Sequence, residues 1–383
     1  MRIVHVASHF GVHRGGAVQL IRMATAQVRL GHQVRVVVNL DPKASLKRRR
    51  QDWDSWEPLR EGGIEVGAVD LAHPRGWWKL RAEARRVRAD VLHAHRDEAL
   101  WAAWWALWGL RRPTLVAQRG TEKPLEGRMR RVFASSRTRA IVAVAEAVRE
   151  SLERAVPGLG RKTKVVYGSV DPERFAPRPP DVTLRGELGL PDDARLLVSL
   201  SAYRKAKGLG CLLKAMAEVM AARPAVYAIF LGRGVPERIG PIAQMFGIAD
   251  RCRFVGHQTD VPRFVSIAEF TVVAAVEREG LSGVLRESLA MEVPVISTDC
   301  AGNREIVEDR RTGLLVPVND APALHSALVW ALDHRQEMKT MAAEGRRWVL
   351  THCDPRRQAD QLIEVYDAAA GPGSPQSSTA PGA

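Results

Sequence analysis

Short apolar, β-branched runs alternate with stretches of helical period along most of the chain. That is how parallel strands covered on both faces by helices are written in sequence. The runs predicted as strands fall into two series. The first occupies residues 3–7, 34–38, 64–69, 91–93, 115–117, 141–144 and 165–167; the second occupies 196–200, 225–231, 252–255, 270–274, 295–297 and 314–316. Between them, residues 170–191 carry Pro172, Pro177, Pro179, Pro180 and Pro191, so that stretch is expected to be an irregular linker or hinge. The pattern predicts an α/β protein with an N-terminal domain over 1–175 and a C-terminal domain over 176–355. A last helix is expected over 356–370, crossing back to the N-terminal domain, and a disordered Gly/Pro/Ser tail over 371–383.

Open parallel sheets place ligands outside the carboxyl ends of their strands, and two such domains imply a cleft between them. The densest chemistry lies just beyond one of these strands, in Glu279-Gly280-Leu281-Ser282-Gly283-Val284-Leu285-Arg286-Glu287. A glycine-containing turn that opens a helix there offers unpaired backbone N–H groups to an anion such as a pyrophosphate. Glu279 and Glu287, eight residues apart, can approach one ligand from the loop and from the helix. Ionised carboxylates make strong hydrogen bonds to ribose or hexose hydroxyls. Taken alone, two glutamates on a helix form a solvated face.

The surroundings favour function. This segment resembles the Glu-x7-Glu motif of the retaining glycosyltransferases of family four, and Ser297-Thr298-Asp299-Cys300-Ala301-Gly302-Asn303-Arg304-Glu305 resembles the block that follows it. Gly15-Gly16-Ala17-Val18-Gln19 is similar to the family's glycine loop, and Asp90-Val91-Leu92-His93-Ala94-His95 to its His-x-His strand end. Leu200-Ser201-Ala202-Tyr203-Arg204-Lys205-Ala206-Lys207-Gly208 resembles its diphosphate loop, except that Ser201-Ala202 stands where Gly-Arg is expected. Phe254-Val255-Gly256-His257 resembles the border of its base pocket.

The resemblance implies the GT-B fold, two facing Rossmann-like domains, with the donor in the C-terminal one and the acceptor in the N-terminal one. It implies catalytic roles for Glu279, His95 and Lys207. It also implies substrate contacts from Glu287, Gly280, Leu281, Ser282, Gly283, Val284, Gly15, Gly16, Gly256 and His257, with Arg204 as a displaced substitute for the absent arginine. His93 is as readily a structural histidine satisfied by backbone. The implied reaction retains anomeric configuration and uses no metal and no cofactor, the nucleotide-diphosphate sugar being a co-substrate.

Charge adds a second theme. The chain carries +14, and residues 1–180 hold 34 Lys+Arg against 18 Asp+Glu, whereas residues 181–383 hold 23 against 25. A field confined to one half suits a polyanionic surface. Trp77, Trp78, Trp101, Trp104, Trp105 and Trp108 crowd that half among Arg75, Lys79, Arg81, Arg111 and Arg112. Either they are a membrane-interface patch, or the four at helical spacing are the buried face of one helix; the positive excess favours the first. The expected acceptor is therefore a membrane-held glycan or glycolipid, such as a lipopolysaccharide core or a lipid-linked saccharide. The expected location is the cytoplasm, peripheral on the inner face of the plasma membrane, with no nucleic acid bound.

Several chemistries are disfavoured. Asp52-Trp53-Asp54 follows a basic polar stretch instead of closing a strand, so it reads as a solvated loop and not a metal site. No GxxxxGK[ST] loop occurs, Gly232-Arg233-Gly234 lacks a third glycine, and Gly280-Leu281-Ser282-Gly283 is not a nucleophile elbow. Cys211, Cys252, Cys300 and Cys353 are scattered, as buried free thiols are. Two rivals remain: a nucleotide-sugar epimerase of the same two-domain build, and a nucleic-acid-binding protein using the basic half.

Overall fold

The structure, a computed structural model, describes residues 1–12 and 15–371. All but the first residue of the expected tail lies outside the described residues. The chain forms two compact units, one from Met1–Ser169 with the chain from Pro355 onward, the other from Val170–Asp354.

Unit 1 holds a seven-stranded sheet of β1 (Arg2–Ala7), β2 (Gln33–Asn39), β3 (Glu65–Val69), β4 (Val91–His95), β5 (Thr114–Arg119), β6 (Thr138–Ala143) and β7 (Thr163–Val165). Its order is β3-β2-β1-β4-β5-β6-β7, and every pairing is parallel. Unit 2 holds a six-stranded sheet of β8 (Arg195–Leu200), β9 (Val226–Leu231), β10 (Cys252–Gly256), β11 (Phe270–Val273), β12 (Val295–Thr298) and β13 (Leu314–Val316), ordered β10-β9-β8-β11-β12-β13 and again parallel throughout. These are two Rossmann-like units of the GT-B class, with strands at all the places the apolar runs predict. β4, β11 and β12 are buried along their whole length, as strands with helices on both faces must be. In each sheet the order reverses once, between β1 and β4 and between β8 and β11, and those are the topological switch points where ligands bind.

The last helix, Pro355–Ala370, belongs to unit 1. Leu362, Val365, Tyr366 and Ala369 pack into one cluster with Ile3, Met23, Val91 and Val142. The proline-rich stretch after Ser169 is more regular than expected. It contains a helix, Val182–Glu187, whose first turn is capped by Asp181 accepting from the Leu184 N–H at 3.1 Å, and Leu184 and Leu190 are buried beside Phe264 and Ile267. The prolines punctuate that segment without unfolding it.

Asp52-Trp53-Asp54 is not a solvated loop. It ends the helix Leu46–Asp54, which Ser45 caps, and Asp52 is buried with its carboxylate 3.2 Å from Arg48. The cap and the i,i+4 pairs Arg48–Asp52 and Arg50–Asp54 override the polar composition. Cys252, Cys300 and Cys353 are buried and Cys211 half-buried, all free thiols. Among the described residues no helix is long and apolar enough to cross a membrane.

The tryptophans divide between the two readings. Trp77, Trp101 and Trp104 pack against the core of unit 1, while Trp78, Trp105 and Trp108 are exposed.

Candidate active site

The loops that leave the carboxyl ends of β8 to β12 are bonded to one another into a continuous rim. After β8, Ser201 N–H donates to Leu231 O at 2.8 Å and Tyr203 N–H to Arg233 O at 2.8 Å. After β9, Gly232 N–H donates to Gly256 O at 2.6 Å. After β11, Val276 N–H donates to Ala206 O at 2.9 Å, and after β12, Gly302 N–H donates to Gly280 O at 2.9 Å. Side chains brace the same loops from below: the Thr298 hydroxyl donates to Ala275 O, and Asn303 Nδ2 to Ser297 Oγ at 3.1 Å.

Two glycines allow this closeness. Gly208 adopts φ +62°, and a Cβ there would lie 1.9 Å from Ala274 O; at Gly232, with φ +146°, a Cβ would lie 2.0 Å from Ser201 O. No other residue fits either place.

The rim brings Lys207 and Glu279 together at the β8/β11 switch point. Lys207 Nζ and Glu279 Oε1 form an ion pair, and Glu279 is only 9% exposed although it lies in an irregular loop. The residue before it, Arg278, sits at φ +59°, a backbone conformation costly for a side chain of that size. Gly280 and Leu281 follow, buried, and Ser282 then opens the helix Gly283–Ala290. The Ser282 hydroxyl makes no capping bond, so the first N–H groups of that helix keep their donor capacity at the rim. Leu285, Ser288 and Leu289 are buried, and Thr271 Oγ1 donates to Ser288 Oγ at 2.9 Å, which anchors the helix on β11. Glu287, one turn in, is half-buried, and Val284 likewise.

The remaining predicted contacts fall in both units. Gly256 ends β10 at φ +70° and is bonded into the rim, and His257 next to it is exposed. Arg204 is exposed on extended backbone, and it forms no ion pair among the described residues. Gly15 and Gly16 belong to unit 1, exposed at the start of the helix Gly15–Arg29, and a Cβ on Gly16 would come 3.1 Å from His9 Nε2.

His95 ends β4 at the switch point of unit 1, in a buried chain of polar groups that the spacing did not foretell. Gln27 Nε2 donates to the Tyr366 hydroxyl at 3.2 Å, which turns its carbonyl oxygen toward His5 Nε2 at 2.7 Å. His5 must therefore carry its proton on Nε2. Burial lowers its pKa to about 4, so it is neutral and its Nδ1 accepts from His95 Nε2 at 2.9 Å. His95, only 5% exposed and held well below the usual histidine range by burial, is thereby fixed with Nδ1 as its free acceptor.

His93 is bonded by a side chain and not by backbone, through one ring nitrogen only. Its Nδ1 takes the Tyr366 hydroxyl at 2.8 Å, burial keeping that phenol protonated and the imidazole neutral. The ligand atoms of His5, His93 and His95 lie within 4.8 Å of one another, the one cluster of metal-ligand type among the described residues. Two of these rings, His5 and His95, stand 2.9 Å apart, at hydrogen-bond distance.

Known proteins share this fold. Residues 13–174 match the family model of Glycosyltransferase Family 4, and residues 182–348 match that of Glycosyl transferases group 1. The chain belongs to the family four glycosyltransferases. It is 26% identical to the phosphatidyl-myo-inositol mannosyltransferase of Mycobacterium leprae over 98% of both chains, and 31% identical to the lipopolysaccharide core biosynthesis glycosyltransferase LpsE of Rhizobium meliloti over 38% of this chain and 41% of that one. The first curated relatives are matched over only part of their length, between 41% and 64%. Among solved structures, Anabaena Alr3699/HepE in complex with UDP superimposes with a TM-score of 0.81 at 21% identity, over 96% of this glycosyltransferase and all of that chain. A glycosyltransferase from Rickettsia africae superimposes with a TM-score of 0.81 at 16% identity, over 96% and 98%. At these identities both structures speak to the fold.

Proposed function

We propose that this glycosyltransferase moves a sugar from a nucleotide-diphosphate donor held by unit 2 to a glycan or glycolipid acceptor, with retention of configuration. The observation that carries the reading is the Lys207–Glu279 pair beside the uncapped start of the helix Gly283–Ala290, at the switch point of a parallel sheet. Cation, carboxylate and helix amides are the three groups such a donor needs. Lys207 and the first N–H groups of the helix take the diphosphate, whose charge grows as the glycosidic bond breaks. Glu279 takes hydroxyls of the sugar, Glu287 those of the ribose, and Gly256 and His257 border the base. His95 is assigned to sugar contact through the Nδ1 that its network leaves free.

With the leaving diphosphate met by Lys207 and the amides, the reaction is proposed to need no metal. Support for a nucleotide-sugar donor comes from Anabaena Alr3699/HepE, solved with UDP and with UDP-glucose, and support for a lipid-held acceptor from the mannosyltransferase and lipopolysaccharide relatives. The enzyme is expected to work in the cytoplasm, at the inner face of the membrane that holds its acceptor.

A thermal-shift screen of nucleoside diphosphates and their sugars tests the donor site directly. A ligand at about 100 times its dissociation constant stabilises by roughly 2.7 kcal/mol. The expected result is stabilisation by one base's diphosphate that disappears in Lys207→Ala and persists in excess EDTA. Absence of stabilisation by every nucleotide would overturn the reading.

A further inference from the structure

The exposed tryptophans of unit 1 are not absorbed by sugar transfer. They stand at the junction of two packed helices, Pro74–Arg86 and Asp97–Ala106, and the turn that follows the second. Trp77 stacks on Trp105 at 5.9 Å between centroids, and Trp105 on Trp108 at 5.3 Å. Arg81 ties the two helices: its Nη1 donates to Ala106 O at 3.0 Å and to Trp108 O at 2.7 Å, while its guanidinium lies 5.8 Å from the Trp78 ring. Arg137 lies over both Trp104 and Trp108 at 4.4 Å and donates to Trp104 O at 2.9 Å. The platform is thus rigidly built, yet Trp78 is 70% exposed and Trp108 54%, held out in water by residues that are themselves fixed. Exposed indoles maintained in this way mark an interaction site.

The charge around it says which kind. No aspartate or glutamate occurs in residues 71–82 or 99–113, and Arg75, Lys79, Arg111 and Arg112 are exposed there, with Asp90 lining one cavity beside Arg111 and Arg112. Indole rings with a polar edge beside exposed cations match the headgroup layer of a bilayer, where the ring sits among the acyl carbons and the cation on the phosphate. We infer that this face, with Trp78 and Trp108 as wedges and Lys79, Arg111 and Arg112 as phosphate contacts, docks unit 1 on a bilayer containing anionic lipid. The surface belongs to unit 1 and the proposed donor site to unit 2, so docking holds or fails independently of the proposed transfer reaction.

The experiment is flotation of the whole protein with vesicles of phosphatidylcholine alone and of phosphatidylcholine with phosphatidylglycerol at 7:3, at low and high salt. Binding is expected to the anionic vesicles at low salt and to fall as salt rises. Replacing Lys79, Arg111 and Arg112 together by glutamine should weaken partitioning about a hundredfold, near fivefold for each cation. Trp78→Ser and Trp108→Ser should each weaken it about tenfold. All variants should keep the wild-type melting temperature and nucleotide-induced stabilisation, which separates lost docking from lost fold or donor site. The inference is overturned if wild type fails to float at low salt, if both variant sets float like wild type, or if soluble glycan or RNA competes the face away from vesicles at equal charge.

Discussion

Replacing Gly208 by alanine tests whether the rim is what places Lys207. The perturbation has two parts. Left-handed backbone at φ +62° costs a residue with a Cβ about 1–2 kcal/mol. The new methyl would also lie 1.9 Å from Ala274 O and 3.0 Å from Val276 Cγ1, well inside contact distance, so loop 201–208 must retreat by about 1 Å or more. Retreat stretches the Val276 N–H to Ala206 O bond, now 2.9 Å, and carries Lys207 away from Glu279. A displacement of that size at a reacting centre costs about a hundredfold in rate. The expected outcome is a protein destabilised by about 2–4 kcal/mol, still folded, whose nucleoside-diphosphate stabilisation and sugar transfer both fall by about two orders of magnitude. Gly210→Ala is the control. It lies two residues on, in the helix Leu209–Ala222, with nothing within 4 Å of its added Cβ, and it should be silent or slightly stabilising. Wild-type nucleotide affinity in Gly208→Ala, or an equal loss in Gly210→Ala, would refute the placement of Lys207 by this contact.

Three further outcomes are expected. Glu279→Ala should lower transfer by about 10²- to 10³-fold while leaving the affinity for nucleoside diphosphate nearly intact, because its partner sugar is absent from that ligand; Lys207→Ala should weaken the diphosphate itself. Tyr366→Phe should cost about 1–3 kcal/mol in chemical denaturation, since Gln27 and His93 both lose a buried partner. Acid should destabilise through the histidines. A histidine whose folded pKa is depressed contributes fully above its unfolded value near 6.5, and that contribution is lost as pH falls toward the folded value, about 4 for His5. With His93 and His95 lowered in the same direction, stability should drop by up to about 4 kcal/mol per pH unit below pH 6, and a pH-independent melt across pH 6.5 to 5 would contradict it.

The strand series was legible because burial on both faces forces long apolar runs, and a parallel sheet repeats them at helix-sized intervals. Local competition hid the rest of the fold. The helix Val182–Glu187 is short, preceded by four prolines, and is held by one aspartate cap and two buried leucines, which no periodicity of six residues can announce. The helix Leu46–Asp54 was hidden in a run of charge, since its stability comes from a serine cap and i,i+4 pairs more than from an apolar stripe.

At the site, the difference between what could and could not be read follows chain separation. Glu279, Gly280 and Gly283 are neighbours in sequence, so their joint meaning as turn and helix start is local. Lys207 reaches Glu279 across 72 residues, and it was found through the diphosphate loop that it resembles; the reason it can reach is Gly208, whose backbone no sequence pattern marked. His95 depends on His5, 90 residues away, and through Gln27 on Tyr366, 339 residues beyond that glutamine. This dependence makes the last helix more than packing. Its tyrosine orients the Gln27 amide, the amide sets the His5 tautomer, and the tautomer decides which nitrogen His95 presents. Tyr366→Phe should therefore lower transfer beyond what its loss of stability explains, with the nucleotide affinity of unit 2 unchanged. An active-site effect confined to stability would show that the chain of hydrogen bonds ends in the core.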